Sequence, residues 1–258
     1  MIHCGPVAKM VNMLGYKHKC MDRKYIDTSN DNMETKKTIV FNRIIGLDSD
    51  IESIARVFES KKYTENAGVG FTYVHIEDDV ILTKVLIRTP SYLQNYNSQE
   101  NIIEKKIVNV YEEIELLMDF QYGLIYSTSS STKFSKAKSL LRNCFNSKVV
   151  FKNVDCSPEK VFERIQLLNW EAFITDLSIK KFVYKEGAIG RLSIHLEDSQ
   201  VGKELIDRYS GSISRLTVSI ESKVFSEFFL SVASQNSFTI RCQESNFWPI
   251  FDAIRGKL

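Results

Sequence analysis

The residues best suited to hydrolytic chemistry lie near the C-terminal end of the sequence. Asp207 is followed by the triplet Glu221-Ser222-Lys223, and metal-dependent nucleases commonly carry an Asp and a Glu-x-Lys on adjoining strands. In such a site the carboxylates hold Mg²⁺ and the lysine orients the attacking water. However, Glu221 and Lys223 also alternate with apolar residues, as on an ordinary solvated strand. A Mg²⁺-dependent nuclease is therefore the third of three functional hypotheses.

Motifs for other common catalytic mechanisms are absent from the sequence. No G-x-x-x-x-G-K-[ST], G-x-G-x-x-G or G-x-S-x-G motif occurs, which argues against the usual nucleotide-binding loops and the hydrolase nucleophile elbow. Four histidines leave few candidates for a Ser-His or Cys-His pair. We therefore expect a non-enzymatic protein without a cofactor and without a bound metal.

A hydroxyl-rich segment with nearby lysines suggests an anion site. The run from Ser127 to Thr132 consists only of Ser and Thr, and it leads through Lys133 into a predicted helix that carries Lys136 and Lys138. Hydroxyl groups, free amides at a helix N-terminus and ammonium groups can together bind a phosphate of DNA, RNA or a nucleotide. The alternative, which we favour, is a loop whose last Ser or Thr caps the helix.

Three strand-like segments each carry an arginine among polar residues. Side chains alternate between the two faces of a strand, and this alternation puts Arg191, Arg215 and Arg241 on the polar sides of their segments. If the three strands align in one sheet, the arginines form a basic, hydroxyl-lined surface that suits contact with a nucleic-acid backbone. Antiparallel sheets also leave a polar face in water without any ligand, so a solvated or protein-covered face is the other interpretation.

The segment from Asn246 to Phe251 contains three aromatic residues within six positions. On a helix these residues cannot all face one core. Phe247, Trp248 and Phe251 are therefore candidates for a protein-binding anchor, because Trp and Phe are favoured at the centres of interfaces. The alternative is a helix that docks across the sheet with both of its sides covered.

Composition is that of a folded globular protein. The chain has 258 residues, 43% of them hydrophobic, and a formal net charge of +2, which excludes disordered and fibrous classes and leaves any basic patch local. No uninterrupted apolar stretch approaches the roughly 18 residues of a membrane helix, so we expect no membrane contact. Five dispersed cysteines without a C-x-x-C pair favour reduced thiols and a cytoplasmic location.

Periodicity along the chain predicts an α+β fold. A strand over 38–45 leads to a helix at Ile51 with Asp48 or Ser49 as its cap, and then to antiparallel strands and a helix over 134–145. The predicted strands are 69–77, 80–89, 102–116 and 121–128. A joining region carries a strand over 148–152, a helix capped by Ser157 with Pro158 in its first turn, and an extended run over 172–185.

The last part of the chain repeats this order of elements. It is predicted to contain a strand over 188–196, a helix to Tyr209, strands over 213–223, 225–233 and 237–242, and a helix over 246–255. We therefore divide the chain into a poorly ordered leader, a first α+β half, a joining region and a second α+β half, which are residues 1–37, 38–146, 147–187 and 188–258.

Two local similarities favour an internal duplication. Asp-Ser opens the first helix of both halves, at Asp48 and at Asp198, and the last helices share the spacing of Phe134 to Leu141-Arg142 and of Phe247 to Ile254-Arg255. The order of elements over residues 38–258 resembles the two halves of the TATA-binding-protein-like fold. This resemblance implies a curved antiparallel sheet with helices on one side and two pseudo-repeated halves.

We expect a non-enzymatic protein that binds a macromolecule. The first hypothesis is a nucleic-acid-binding or assembly subunit of a microbial multi-protein system, whose contacts with nucleic acid are Lys133, Lys136, Lys138, Arg191, Arg215 and Arg241. The second is a protein-protein adaptor that uses an edge strand or the aromatic C-terminal helix. The expected partners are thus a protein or a second copy of the chain, with nucleic acid as the ligand of the first hypothesis.

Overall fold

The computed structural model describes residues 33–47, 50–233 and 236–256. Within these residues the chain is an α+β protein with a mostly antiparallel open sheet of eleven strands and with five α-helices. The predicted α+β class and antiparallel sheet are confirmed. The chain forms two compact units, which we call the N-terminal unit (Ile39–Val154) and the C-terminal unit (residues 33–38 together with 155–256).

The N-terminal unit begins within the first strand. Its strands follow the order β2-β3-β4-β5-β1, and β6 also pairs with β1. The elements are β1 (Glu34–Ile45), α1 (Ile51–Ser60), β2 (Val69–Glu77), β3 (Val80–Asn97), β4 (Ile102–Asp119), β5 (Leu124–Ser127), α2 (Ser131–Cys144) and β6 (Val150–Lys152).

In the C-terminal unit the strand order is β11-β10-β9-β7-β8, with the first residues of β1 beside β11. The amide of Glu244 donates to the carbonyl of Met33 over 2.9 Å, and the hydroxyls of Thr38 and Thr239 are 2.8 Å apart. The elements are α3 (Pro158–Gln166), β7 (Glu171–Lys185), β8 (Ala188–His195), α4 (Ser199–Arg208), β9 (Ile213–Glu221), β10 (Phe228–Ala233), β11 (Ser237–Gln243) and α5 (Phe247–Arg255).

Helix starts follow the predicted capping chemistry. The side chain of Ser157 caps α3, where Pro158 occupies the first turn, and Asp198 caps α4. At α1 the cap is Asp50, whose carboxylate accepts from the Ser53 amide over 2.8 Å. Hydrogen bonds from the Ser53 amide and hydroxyl lower the pKa of Asp50. The cap of α1 is thus Asp50 and not the predicted Asp48 or Ser49, which themselves lie outside the described residues.

Several elements differ from their predicted bounds by one to three residues, and β1 and β3 differ most. β1 starts at Glu34 rather than at residue 38, because its first residues have partners in the same unit: Arg241 pairs with Glu34 and Glu244 with Lys37. β3 continues past the predicted end at residue 89, through Pro90 to Asn97. Residues 1–32 of the predicted leader lie outside the part of the chain that the structure describes.

One core of the N-terminal unit lies between its sheet and the helices α1 and α2. The buried residues come from one side of each helix and from alternate positions of the strands. Phe58 of α1 is fully buried, stacks on Phe71 with ring centroids 4.5 Å apart, and meets Phe145 edge-on at 6.0 Å. The helical members of this core are Ile54, Ala55, Phe58, Phe134, Ala137 and Leu141.

The C-terminal unit buries one face of its sheet. The apolar residues of β9, Leu216, Val218 and Ile220, are buried and alternate with polar ones. Helix α4 lies close to this face at Gly202, where a Cβ atom would come within 2.9 Å of the Cβ of Ile174. Gly202 is therefore required for the close packing of α4 on β7.

No helix in the described ranges is both long enough and apolar enough to cross a membrane.

Replacement of Phe58 by alanine should lower the free energy of unfolding by about 3–5 kcal/mol, because a cavity would open beside Phe71 and Phe145. The matched control is Glu59→Ala on the exposed side of the same helix, which should change stability by less than about 0.5 kcal/mol. Urea unfolding followed by circular dichroism measures both variants. Equal stabilities would contradict the packing described for α1.

Candidate functional site

A row of polar side chains crosses the exposed face of the C-terminal sheet. The row contains one residue from each of five adjacent strands, and each residue lies opposite the next. These residues are His195 of β8, Asp176 of β7, Thr217 of β9, Ser231 of β10 and Thr239 of β11. Residues directly opposite one another share a face, and this face is the one that the buried residues of β9 do not occupy. We call it the open face. Its polar row is the geometric basis of the candidate site.

Hydrogen bonds link neighbours within the row. The hydroxyl of Thr217 donates to that of Ser231 over 3.1 Å, and His195 Nδ1 lies 3.1 Å from a carboxylate oxygen of Asp176. Thr175 at the β7 bulge donates its hydroxyl to Asp176 over 2.9 Å. The row is therefore an ordered set of donors and acceptors on the sheet.

Arg215 and Arg191 belong to the same face. Arg215 lies opposite Ser178, which in turn lies opposite Ser193, and the two serine hydroxyls are 2.9 Å apart. Arg191 precedes Ser193 by two residues on β8 and therefore shares its face. Both arginines are exposed, and neither forms an ion pair with any residue that the structure describes. The register thus brings two of the three predicted arginines onto one hydroxyl-lined surface.

Arg241 lies on the open face but is already engaged. Its guanidinium carbon is 4.1 Å from the centroid of the Phe229 ring, and its Nε lies 3.1 Å from a carboxylate oxygen of Glu34. Arg241 is level with Ser219, four residues from Arg215 along β9, which corresponds to about 13 Å along the strand. Arg241 therefore ties β11 to β1 and contributes less free positive charge than the other two arginines.

Positive charge is concentrated at one end of the C-terminal sheet, near the turn between β7 and β8. The last part of β7, before the turn to β8, carries the exposed Lys181 and Lys185, and beside them Tyr184 is 79% exposed. At the opposite end of β9, Glu221 faces Glu171 of β7. We call Lys181, Lys185, Arg191 and Arg215 the basic end. Sequence reasoning missed the two lysines because β7 changes register against β8 at both places, which interrupts the regular strand alternation.

The Ser/Thr segment before α2 uses its hydroxyl groups internally. Ser127 is fully buried, its hydroxyl donates to the carbonyl of Glu115, and the same oxygen accepts from the Ser129 amide over 3.1 Å. Ser130 is the N-cap of α2 and accepts from the Lys133 amide. The structure therefore shows a capping loop at this position.

Two of the three lysines predicted to bind phosphate have partners. Lys136 forms an ion pair with Glu112 over 2.7 Å, and its hydrogen bond lowers the pKa of Glu112. The half-buried Lys138 donates to Asn42 Oδ1 over 2.5 Å, with its ammonium 4.6 Å from the Phe134 ring centroid. Burial, followed by the nearby charge of Arg142, lowers the pKa of Lys138. Of the three lysines, only Lys133 has an ammonium group with neither an ion pair nor a hydrogen bond to a described residue.

The predicted nuclease residues do not come together. Asp207 is exposed on α4, which packs against the buried face of the sheet at Ile174. Glu221 alternates with the buried Ile220 and so belongs to the open face, on the other side of the sheet from Asp207. Lys223 follows the end of β9. The described ranges contain no group of three or more His, Cys, Asp or Glu that could hold a metal ion.

The aromatic segment 246–251 does not form the predicted exposed anchor. Phe247 is fully buried and Phe251 is 1% exposed, which removes both from any exposed anchor. Trp248 is half-buried and packs edge-on between them, with ring centroids 5.1 Å from Phe247 and 5.9 Å from Phe251. Helix α5 thus covers the core, as the alternative interpretation of the segment had it.

The fold and the open face define an α+β protein with a mostly antiparallel open sheet whose exposed side is lined with hydroxyl and guanidinium groups. Comparison with models of known protein families gives no match, and comparison with curated protein sequences gives none either.

Replacement of Lys138 by methionine should lower the free energy of unfolding by about 1 kcal/mol or more, because Oδ1 of the buried Asn42 would lose its donor. Lys133→Met is the matched control on the same helix and should change stability by less than about 0.5 kcal/mol. Chemical denaturation measures both. If the two variants are equally stable, Lys138 does not have the structural role assigned to it.

Proposed function

We propose that this protein is a non-enzymatic nucleic-acid-binding subunit that acts within a larger microbial assembly, and that its open face and basic end contact the nucleic acid. The observation that carries the proposal is the shared position of Arg191 and Arg215. Both are exposed on the hydroxyl-lined face, and neither forms an ion pair with a described residue. Guanidinium groups in this state are available to hold phosphate oxygens bidentately.

Exposed rings favour a single-stranded ligand. Phe173, which is 44% exposed, lies opposite Ser219 on the open face, and Tyr184 is exposed at the basic end. Unpaired bases stack on such rings with little regard to sequence, while arginines and lysines follow the backbone. Hydroxyl groups of the polar row would add hydrogen bonds to phosphate or sugar. The proposed ligand is therefore single-stranded nucleic acid bound mainly through its backbone.

Acidic residues limit the extent of the binding surface. Asp176 lies within the polar row, and Glu221 with Glu171 occupies the far end of the sheet. Repulsion of phosphate there confines the phosphate groups to the basic end and the adjoining part of the open face. Phe173, two residues from Glu171, then marks the limit of the binding surface and can contact only a base. Such a local patch is consistent with a formal net charge of only +2. The expected binding is consequently moderate in strength and sensitive to salt.

A pseudo-repeat in the TATA-binding-protein-like manner forms part of the proposal. The N-terminal unit runs β1-α1-β2-β3-β4-β5-α2. If β8 and α4 are counted as an insertion, the chain from β6 onward runs β6-α3-β7-β9-β10-β11-α5, which is the same order of strands and helices. In the sheet, β7-β9-β10-β11 are successive neighbours, as β2-β3-β4-β5 are. The second repeat would then start at β6 rather than at residue 188. A cytoplasmic location also belongs to the proposal.

The test is a fluorescence-anisotropy titration with labelled single- and double-stranded DNA and RNA at several salt concentrations. Arg191→Glu combined with Arg215→Glu should weaken binding at least about tenfold and reduce the slope of log K against log salt by about 1–2, because two phosphate contacts are lost. The matched control is Lys203→Glu with Arg208→Glu, which makes the same charge change on exposed positions of α4. This control should retain nearly full affinity.

Other outcomes would overturn the proposal. Flat titrations with every nucleic acid would remove it and leave the protein-protein adaptor. Equal losses in the two double variants would show that only the overall charge matters and that the open face is no specific surface. A Mg²⁺-dependent loss of signal that Glu221→Ala abolishes would instead support the nuclease hypothesis.

A further inference from the structure

A long two-stranded arm extends the sheet of the N-terminal unit. β3 and β4 pair over eighteen consecutive residues without a register shift, whereas β2 reaches only to Ile87 of β3 and β5 only to Leu117–Asp119 of β4. Residues 88–97 and 102–111 therefore pair only with each other among the described strands. We call these residues the β-arm.

The β-arm exposes an unusual amount of apolar surface. On one of its faces Tyr92 lies opposite Ile107 and Tyr96 opposite Ile103, and these four side chains are 59–71% exposed. The other face exposes Leu93, Ile102 and Val110. A two-stranded ribbon with both faces in water is marginally stable at best. Exposed apolar side chains on both faces of such a ribbon indicate an interaction surface.

The two edges of the β-arm differ in their capacity to accept another strand. Pro90 lies opposite Asn109, and because proline has no N–H, the pair cannot exchange hydrogen bonds, so the backbone groups of both residues point outward. Arg88, two residues before Pro90 on the same strand, also directs its backbone groups outward, because its amide donates to the carbonyl of Gly68. Pro90 therefore removes a donor from the outer edge of β3, as is usual for edges that stay unpaired.

The outer edge of β4 lacks such protection. By the same alternation, the odd-numbered residues of this part of β4 direct their backbone N–H and C=O groups away from β3. They are Ile103, Lys105, Ile107 and Asn109. In the part of the chain that is described, no strand pairs with this edge before Leu117. The segment contains no proline and its pairing with β3 has no bulge. It is thus an open template for an added strand.

We propose that the β-arm joins two copies of this protein, by antiparallel pairing of the outer edge of β4 with the same edge of a second copy about a two-fold axis at Lys105. A two-fold contact requires a surface that complements itself. In this register Ile103 of each copy lies opposite Ile107 of the other, and Ile102 lies opposite Val108. Glu104 lies opposite Lys106, twice in the pair of chains. The inference goes beyond the proposed nucleic-acid binding and does not depend on it.

The register is set by the phase of the backbone groups and by charge. A hydrogen-bonded pair between the two copies requires two residues whose backbone N–H and C=O groups both point away from β3. In this segment of β4 these are the odd-numbered residues, so an odd-numbered residue must lie opposite an odd-numbered one. Moving the axis from Lys105 to Glu104 would place Glu104 of each copy opposite the other, and moving it to Ile107 would put Lys106 opposite Val108 and lose both acid-base pairs. At Lys105 the one like-charge contact is between two long side chains that can diverge into water.

A charge-reversal series tests the contact by sedimentation velocity of the full chain. The wild-type protein should form a dimer in the micromolar range. Glu104→Lys places a lysine of each copy opposite Lys106 of the other copy. Dimerisation should weaken about tenfold, because both cross-strand attractions become repulsions. Glu104→Lys combined with Lys106→Glu should restore the dimer. This rescue is specific, since the hydrogen bond from Asn97 to Glu104 within one chain is lost in both variants.

Cross-linking tests the position of the axis. Lys105→Cys should give a disulfide-linked dimer under mild oxidation, because the two cysteines would be direct neighbours with Cα atoms about 5.5 Å apart. Lys106→Cys is the matched control. It should cross-link poorly, because residue 106 of the second copy is only a diagonal neighbour of residue 106 in the first, at about 7–8 Å. The wild-type protein gives the background from the native cysteines.

Three results would overturn the inference. The first is a wild-type protein that stays monomeric at concentrations of about 100 µM, well above those at which stable dimers form. The second is a dimer that Glu104→Lys leaves unchanged, which would place the contact elsewhere. The third is a monomer that co-sediments with phosphatidylcholine vesicles and loses this property in Ile103→Asp/Ile107→Asp, which would make a lipid surface the occupant of the β-arm.

Discussion

The pairing register of β7, β9, β10 and β11 is the constraint on which the C-terminal unit depends. Each of these strands alternates buried apolar residues with residues that are mostly less buried and mostly polar, so a slip of one residue in any pair would turn its apolar side chains to water. The same register that buries Leu216, Val218 and Ile220 also aligns the polar row across five strands. The polar row and the core are therefore two results of one set of hydrogen bonds, and neither could change without the other.

Sequence periodicity was sufficient for most of the fold because its causes are local. Alternation along a strand is visible in the residues themselves, and so are the caps Ser157 and Asp198. Alternation predicted that Arg191 and Arg215 would share a surface if their strands aligned in one sheet, and the observed register meets that condition. The exact ends of β1 and β3 did not follow, because they depend on partners distant in sequence, such as Glu244 for Lys37.

The candidate site was less predictable, because side-chain pairing is a tertiary property. Nothing in the sequence near Lys138 indicates that its ammonium group binds Asn42, which lies 96 residues away. The spacing of Phe247, Trp248 and Phe251 predicts a helix with aromatic residues on more than one side, but only packing decides which of these sides is covered. Pro90 similarly argues against a strand unless the edge on which it lies is known to have no neighbour.

The position of β1 in the chain has a consequence for biosynthesis. Thr38 contacts Thr239 across a separation of 201 residues, so β11 leaves the ribosome long after β1. The residues that close the C-terminal sheet must wait while the whole segment 39–154 is synthesised, a segment that can collapse around its own core in the meantime. Loops of this length slow the formation of the contacts that close them. A nascent chain of this protein therefore carries an unpaired strand end until β11 has been synthesised, and holding chaperones would find their substrate there.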